Sequence, residues 1–341
     1  MVSWALCLTR TSRADGMLSV ELGHPLLDDY LRFVAARVRP NTLLAVAYDL
    51  RVFFRVVPKE PEQVSTGDVL GFITEQRRPR HGDNVVRLED GEAGLSARTI
   101  KRRLSSVSGL YGYLVARDDV AVKANPVPRG LATRRSTARR RGVPLIRAPR
   151  TLPKLLEPDE VDRLLVALRT RRDRAMVEAM LLGGLRRCEV LGLRFEDVRA
   201  GENRLFIAEG KGGHQRLIPV SPRFFDTLAG YLAEERPATD TDRLFVVLKG
   251  PTRGAPLSAS GLDQILRSAR ERAGLDTVTC HMLRHTCLTR LREAGMALEA
   301  VQAQAGHRSI ETTRIYLQLS NGWLAAEYHR ALEILDREVL T

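Results

Sequence analysis

Across residues 43–57 the apolar positions Leu43, Val46, Ala47, Leu50, Phe53, Phe54 and Val57 recur every three or four residues. That spacing gathers them on one face of a helix. Pro40-Asn41-Thr42 stands just before the run and supplies a start signal. A second helix is predicted over 66–76, with Ser65 or Thr66 as the capping hydroxyl. A third runs from about 97 to 116 and places Ile100, Leu104, Val107, Tyr111 and Leu114 on its apolar face. Residues 79–96 hold Pro79, Gly82, Asp83, Gly91 and Gly94 and read as a loop.

The pattern breaks over 124–156. Pro126, Pro128, Pro144, Pro149 and Pro153 fall there, and Arg134, Arg135, Arg139, Arg140, Arg141 and Arg147 lie between Arg129 and Arg150 with no acid among them. Proline and like charge both oppose a compact core, so this stretch is predicted to be an extended linker. Beyond it the pattern is mixed. Glu157-Pro158-Asp159-Glu160 opens a helix with acids in its first turn, as the helix dipole favours. Helices continue to about 193. Short strand patterns follow at 204–208, 216–220 and 244–247. The first two flank a glycine-rich turn, Glu209-Gly210-Lys211-Gly212-Gly213-His214. Helices return from 258 to the end.

These signals predict a mainly α chain with a small antiparallel β-sheet in its second half. The expected organisation is an extension over 1–20, a helical domain over 21–125, the basic linker over 126–153 and an α+β domain over 154–341. Residues 1–16 are either a disordered extension or the result of a misplaced start, with Met17 as the true one.

Charge sharpens the picture. Among 341 residues, 54 Lys and Arg oppose 41 Asp and Glu, a formal net charge of +13. A polyanionic partner follows from that excess, because each base set on a phosphate releases a counterion. The third helix carries Arg98, Lys101, Arg102 and Arg103 near its start, either as a solvated face or as a phosphate-contacting stripe. The linker bases Arg139, Arg140 and Arg141 face the same choice. Cys7, Cys188, Cys280 and Cys287 form no C-x-x-C pair, so free thiols in a reducing cytoplasm are expected. No apolar run reaches the roughly 18 residues needed to span a bilayer. The apolar stretch 2–8 precedes its first basic residue, Arg10, which is the reverse of a signal peptide. A cytoplasmic protein with no membrane partner is expected.

Five features of the second half could carry chemistry. Arg186 follows a largely apolar stretch, and Glu189 three residues on could hold its guanidinium. Surface charge is the simpler reading of that pair. Lys211 sits in the glycine-rich turn, but G-x-x-x-x-G-K-[ST] is absent, so nucleotide binding is not supported. His281 and Arg284 share a helix face, and His285 completes a His-x-x-x-His pair. Met282 stands where the zinc-protease motif needs Glu, so no metal site is expected. His307 precedes Ser309, which can cap a following helix. Tyr316, taken singly, reads as an ordinary packed tyrosine. Taken together, these residues supply what metal-free transfer at a phosphodiester needs. Arginines can hold the nonbridging oxygens, a tyrosine can attack, and histidines and a lysine can move protons.

The segments 184–193, 210–220, 281–285 and 306–316 closely resemble the tyrosine recombinase (phage integrase) family, particularly its compact Xer-like members. They stand in the family's order, and Tyr316 lies nine positions after His307. The first half resembles the family's helical core-binding, SAM-like domain more loosely. The resemblance implies a two-domain, C-shaped DNA clamp and a site-specific recombinase that needs neither metal, cofactor nor ATP. It implies that Arg186 and Arg284 clamp the scissile phosphate with help from His307. His281 would manage the tyrosine proton, and Lys211 would protonate the departing 5′ oxygen. Tyr316 would form a 3′-phosphotyrosine, and Glu189 would support Arg186. The implied partner is double-stranded DNA with a specific recombination site, bound by a homo- or hetero-tetramer. The amphipathic tail 321–340 would pack on its own domain or dock into a neighbour, and the family favours the neighbour. Two rival readings stand beside this one: a type IB topoisomerase that relaxes DNA, and a non-catalytic DNA-binding regulator.

Overall fold

The computed structural model describes residues 6–12, 18–78, 94–128, 130, 146, 154–208, 215–306 and 313. The chain divides into two compact units, Met1–Arg150 and Thr151–Thr341.

The first unit opens with a pair of antiparallel strands, β1 (Thr9–Ser12) and β2 (Leu18–Glu21), in register from Thr9 opposite Glu21 to Ser12 opposite Leu18. The expected extension over 1–20 thus carries paired strands at residues 9–12 and 18–21. The reason lies in β2, where Leu18, Val20 and Leu22 alternate with polar residues and Val20 and Leu22 enter the core. Helix α1 (Pro25–Ala35) follows, with Leu27, Tyr30, Leu31 and Val34 buried at helical spacing. It was absent from the sequence expectations although its pattern is regular.

Helix α2 (Pro40–Val56) starts three residues before its first core residue, because Pro40 presets the first-turn φ. Helix α3 (Thr66–Arg77) is capped by Ser65, not Thr66. The Asp68 amide donates to Ser65 Oγ at 3.3 Å and the Ser65 amide donates to Asp68 Oδ2 at 2.9 Å. Helix α4 (Ala97–Val115) begins at Ser96, which accepts from the Thr99 amide. Phe53 meets Phe54 and Phe72 edge-on at 5.1 and 5.0 Å in the core.

In the second unit α5 (Pro158–Val166) leads to α6 (Arg171–Gly183), a helix buried on nearly every side. Helix α7 (Arg187–Gly192) is a short turn beyond it. A three-stranded antiparallel sheet, β3 (Val198–Arg199), β4 (Arg204–Ile207) and β5 (Arg216–Pro219), pairs Arg204 with Pro219 and Ile207 with Arg216. Helices α8 (Pro222–Glu234), α9 (Ala259–Arg272), α10 (Cys280–Glu293) and α11 (Leu298–Ala305) complete it.

The strand expected at 244–247 is corrected. Leu244, Phe245 and Val246 are all buried, but the segment makes only single bridges, such as Val246 to Pro256. Its backbone bonds go to loops instead: the Leu244 amide donates to Leu193 O and the Val247 amide to Ala255 O. All four cysteines are free thiols, with Cys287 buried and Cys7 and Cys188 exposed. Among the described residues no helix is long and apolar enough to cross a membrane. The linker bases Arg139, Arg140 and Arg141, the turn holding Lys211, and His307, Tyr316 and the tail 321–340 lie outside the described residues.

Candidate active site

Helix α6 ends at Gly183, and Gly184 takes the left-handed conformation at φ 68° and ψ 26°. Glycine adopts it without a Cβ penalty, which turns the chain sharply. The turn sets Arg186 as the first residue before α7. Its amide donates to Glu189 Oε2 at 2.9 Å, and its guanidinium donates to Glu189 Oε1 at 2.7 Å.

Glu189 is the hub of the site. Its side chain is 0% exposed. Arg216, from β5, donates to both its oxygens at 2.9 Å. Arg284, from α10, brings a guanidinium nitrogen to 3.9 Å from Oε2. Burial opposes the Glu189 charge, yet the Arg216 bonds and charge and the Arg186 amide hold its pKa below the usual carboxylate range. Thus three guanidinium groups share one buried carboxylate.

The same three arginines meet the end of α11. Arg216 Nε donates to Gln304 O at 3.3 Å, Arg284 to Ala305 O at 2.6 Å, and Arg186 to Gly306 O at 3.2 Å. Helix ends leave such carbonyls without intrahelical donors, and their partial negative charge suits cations. Gln304 itself donates to Gly183 O at 2.9 Å and Pro219 O at 3.1 Å, tying α6 and β5 to α11. Arg284 also donates to Gly184 O and is 3% exposed, whereas Arg186 keeps 14% of its side chain open.

Thr279 caps α10 by accepting from the Met282 amide, which sets His281 in the first turn, exposed and one turn before Arg284. The His281 and His285 rings lie 5.6 Å apart. Burial, aided by His281 and Arg284, pushes the His285 pKa down to about 4, so its ring is neutral near pH 7. Among the described residues no group of three or more His, Cys, Asp or Glu side chains could hold a metal ion.

The four bases of α4 do not stand alike. Arg98, Lys101 and Arg102 are exposed, and Arg103 is turned inward. Arg102 donates to buried Asp49 at 2.5 Å, and Arg103 donates to Gln76 with its Nε 3.9 Å from Asp49. Burial raises the Asp49 pKa against the pull of Ser106 and both arginines. Sequence reasoning missed Asp49, Gln76, Arg216 and Gln304. Arg216 lies inside the 210–220 segment and Gln304 just before the 306–316 one, but only the pairing of β4 with β5 brings Arg216 to the end of α11.

The model of the phage integrase family matches residues 154–322, and that of the phage integrase N-terminal SAM-like domain matches 27–118. Tyrosine recombinase XerD of Mycobacterium tuberculosis (strain H37Rv) is 34% identical over 302 residues, covering 82% of this chain and 87% of the relative. This chain belongs to the phage integrase family of tyrosine recombinases. It is accordingly an enzyme of site-specific recombination, which cuts and rejoins DNA strands by way of a tyrosine. The fold agrees. The Tn1549 transposon integrase in complex with transposon right end DNA has a TM-score of 0.64 at 19% identity, covering 85% of this chain and 93% of that one. A lambda integrase tetramer bound to a Holliday junction has a TM-score of 0.60 at 20% identity, covering 84% and 77%.

Proposed function

We propose that this recombinase cleaves one strand at a specific site in double-stranded DNA by attack of Tyr316 on the scissile phosphate. The observation that carries the reading is the convergence of Arg186 and Arg284 on Glu189 and on the last carbonyls of α11, immediately before His307. Two preorganised guanidiniums there can hold the nonbridging oxygens while charge builds in the transition state. His307 assists them, and His281 takes the tyrosine proton. Lys211 protonates the departing 5′ oxygen. The product is a 3′-phosphotyrosine that conserves the bond energy, so a free 5′ hydroxyl rejoins the strand without ATP.

Residues 21–125 serve as the core-binding half, 126–153 as the basic linker and 154–341 as the catalytic half. Arg98, Lys101 and Arg102 face the phosphates, as do Arg139, Arg140 and Arg141. The working assembly is a homo- or hetero-tetramer on two duplexes, with the 321–340 tail docked into a neighbour. Sequence relatives named as recombinases favour this reading over DNA relaxation and over a non-catalytic regulator.

The test is covalent capture from a pool of random-sequence duplexes. Wild-type protein forms denaturant-resistant adducts, and sequencing them yields the target. Tyr316→Phe lacks only the attacking hydroxyl, so it binds the captured duplex but forms no adduct. An adduct that persists in Tyr316→Phe means another residue attacks.

A further inference from the structure

The reading above gives roles to Arg186, Arg284 and Glu189 but none to Arg216. We propose that Arg216 is a positioning residue for strand cleavage: it braces the Glu189 carboxylate and, through it, sets the Arg186 guanidinium against the phosphate. The inference rests on Arg186 being part of the phosphate clamp.

The geometry is specific. Arg216 spends Nη1 on Glu189 Oε1 and Nη2 on Oε2, each at 2.9 Å. Such a fork fixes the plane of the carboxylate as well as its distance. Arg186 engages the same two oxygens, Oε1 with its guanidinium and Oε2 with its amide. Whatever orients Glu189 therefore orients Arg186. Arg284 is too far, at 3.9 Å, to replace the fork.

Arg216 is itself held. It opens β5, opposite Ile207, and its Nε donates to Gln304 O. Its guanidinium lies against the backbone of Gly306, where a Cβ would come within 2.9 Å of Nη1. Glu189 is faced by Arg186 from the start of α7, Arg216 from β5 and Arg284 from α10. A buried carboxylate deprived of its two-pronged partner favours its neutral form, and a neutral acid grips Arg186 poorly.

Arg216→Gln and Arg216→Lys test this on the captured duplex. Arg216→Gln should bind it within about twofold of wild type but form adduct about 10²-fold more slowly near neutral pH. Its rate should recover toward about pH 9 as Glu189 ionises again. Arg216→Lys, which keeps the charge without the fork, should fall between.

Melting of the DNA-free proteins over the same range should run the other way. In wild type the Glu189 pKa is lowered, so its stabilisation is present above the unfolded value and lost as pH falls. Without Arg216 burial prevails and the folded pKa rises above the unfolded one. That contribution is then present in acid and lost as pH rises, so the stability deficit widens while cleavage recovers. A cleavage defect that is flat with pH, or that follows the melting temperature, overturns the proposal. If wild-type protein forms no Tyr316-dependent adduct, the clamp reading itself fails. The melting curves then still decide whether Arg216 holds Glu189 ionised.

Discussion

Arg186 donates to the carbonyl oxygen of Gly306, 3.2 Å away, across 120 positions of sequence. The first arginine of the site is thereby fastened to the residue that immediately precedes His307. Gly306 ends α11 in the left-handed region at φ 60°, and a Cβ there would press on Arg216 at 2.9 Å.

Gly306→Ala should therefore do two kinds of damage. The left-handed backbone alone costs about 1–2 kcal/mol for a residue with a Cβ. Displacing Arg216 and shifting the Gly306 carbonyl should also slow cleavage. Gly274 provides the control, since it has φ 63° and a Cβ added to it would meet nothing within 4 Å. Gly274→Ala should lose about the same backbone energy, read by thermal melting, while cleavage stays near wild type. Equal cleavage by the two variants would show that the Gly306 contacts do not matter to the reaction.

Arg186→Ala and Arg284→Ala should each lower cleavage by about 10²-fold or more, as loss of a preorganised charge donor does. Arg284→Ala should also destabilise the fold, because that side chain is 3% exposed and carries the Gly184 and Ala305 carbonyls. Cleavage by wild type should continue in EDTA, since the guanidiniums take the place of the cations of a two-metal nuclease. Activity lost in EDTA and restored by Mg²⁺ would overturn that assignment.

On α4 the bases should separate by salt dependence. Arg98, Lys101 and Arg102 are exposed, so each that touches a phosphate should flatten the slope of log K against log salt by about 0.9 when neutralised. Arg103→Ala should leave the slope alone. It should instead cost about 1–3 kcal/mol of stability by removing a donor from Gln76 and a charge from buried Asp49. An unchanged slope after replacing Arg98, Lys101 and Arg102 together means that this face points to solvent.

Regular apolar spacing made α2 and α4 legible and a capping hydroxyl marked α3; the same spacing underlies α1, where Leu27, Tyr30, Leu31 and Val34 went unread. Strand β1 is different. Its four residues are exposed and carry no apolar alternation, so only pairing with β2 defines it. The motif residues Arg186, Glu189 and Arg284 were legible because their chemistry repeats a family spacing. Arg216 and Gln304 were not, because their roles exist only once β5, α6 and α11 meet. Arg102 and Arg103 show the same limit: one step of helix turns Arg103 inward beside Asp49, and Asp49 looked like an ordinary polar position on α2.

The assignment of Lys211 as general acid yields the sharpest chemical test. Lys211 falls in the sequence between β4 and β5, with Gly210, Gly212 and Gly213 beside it. Residues without bulky side chains let a backbone come close to DNA. The departing 5′ alkoxide is a poor leaving group unless it gains a proton, so an acid should matter most for cleavage. Replacing the bridging 5′ oxygen with sulfur removes the need, because a thiolate leaves without a proton. Lys211→Ala should cleave ordinary DNA very slowly and the sulfur substrate at close to the wild-type rate. A variant equally slow on both substrates would mean that Lys211 positions DNA or balances charge, and the proton donor would then be sought at His281, exposed one turn before Arg284 on α10.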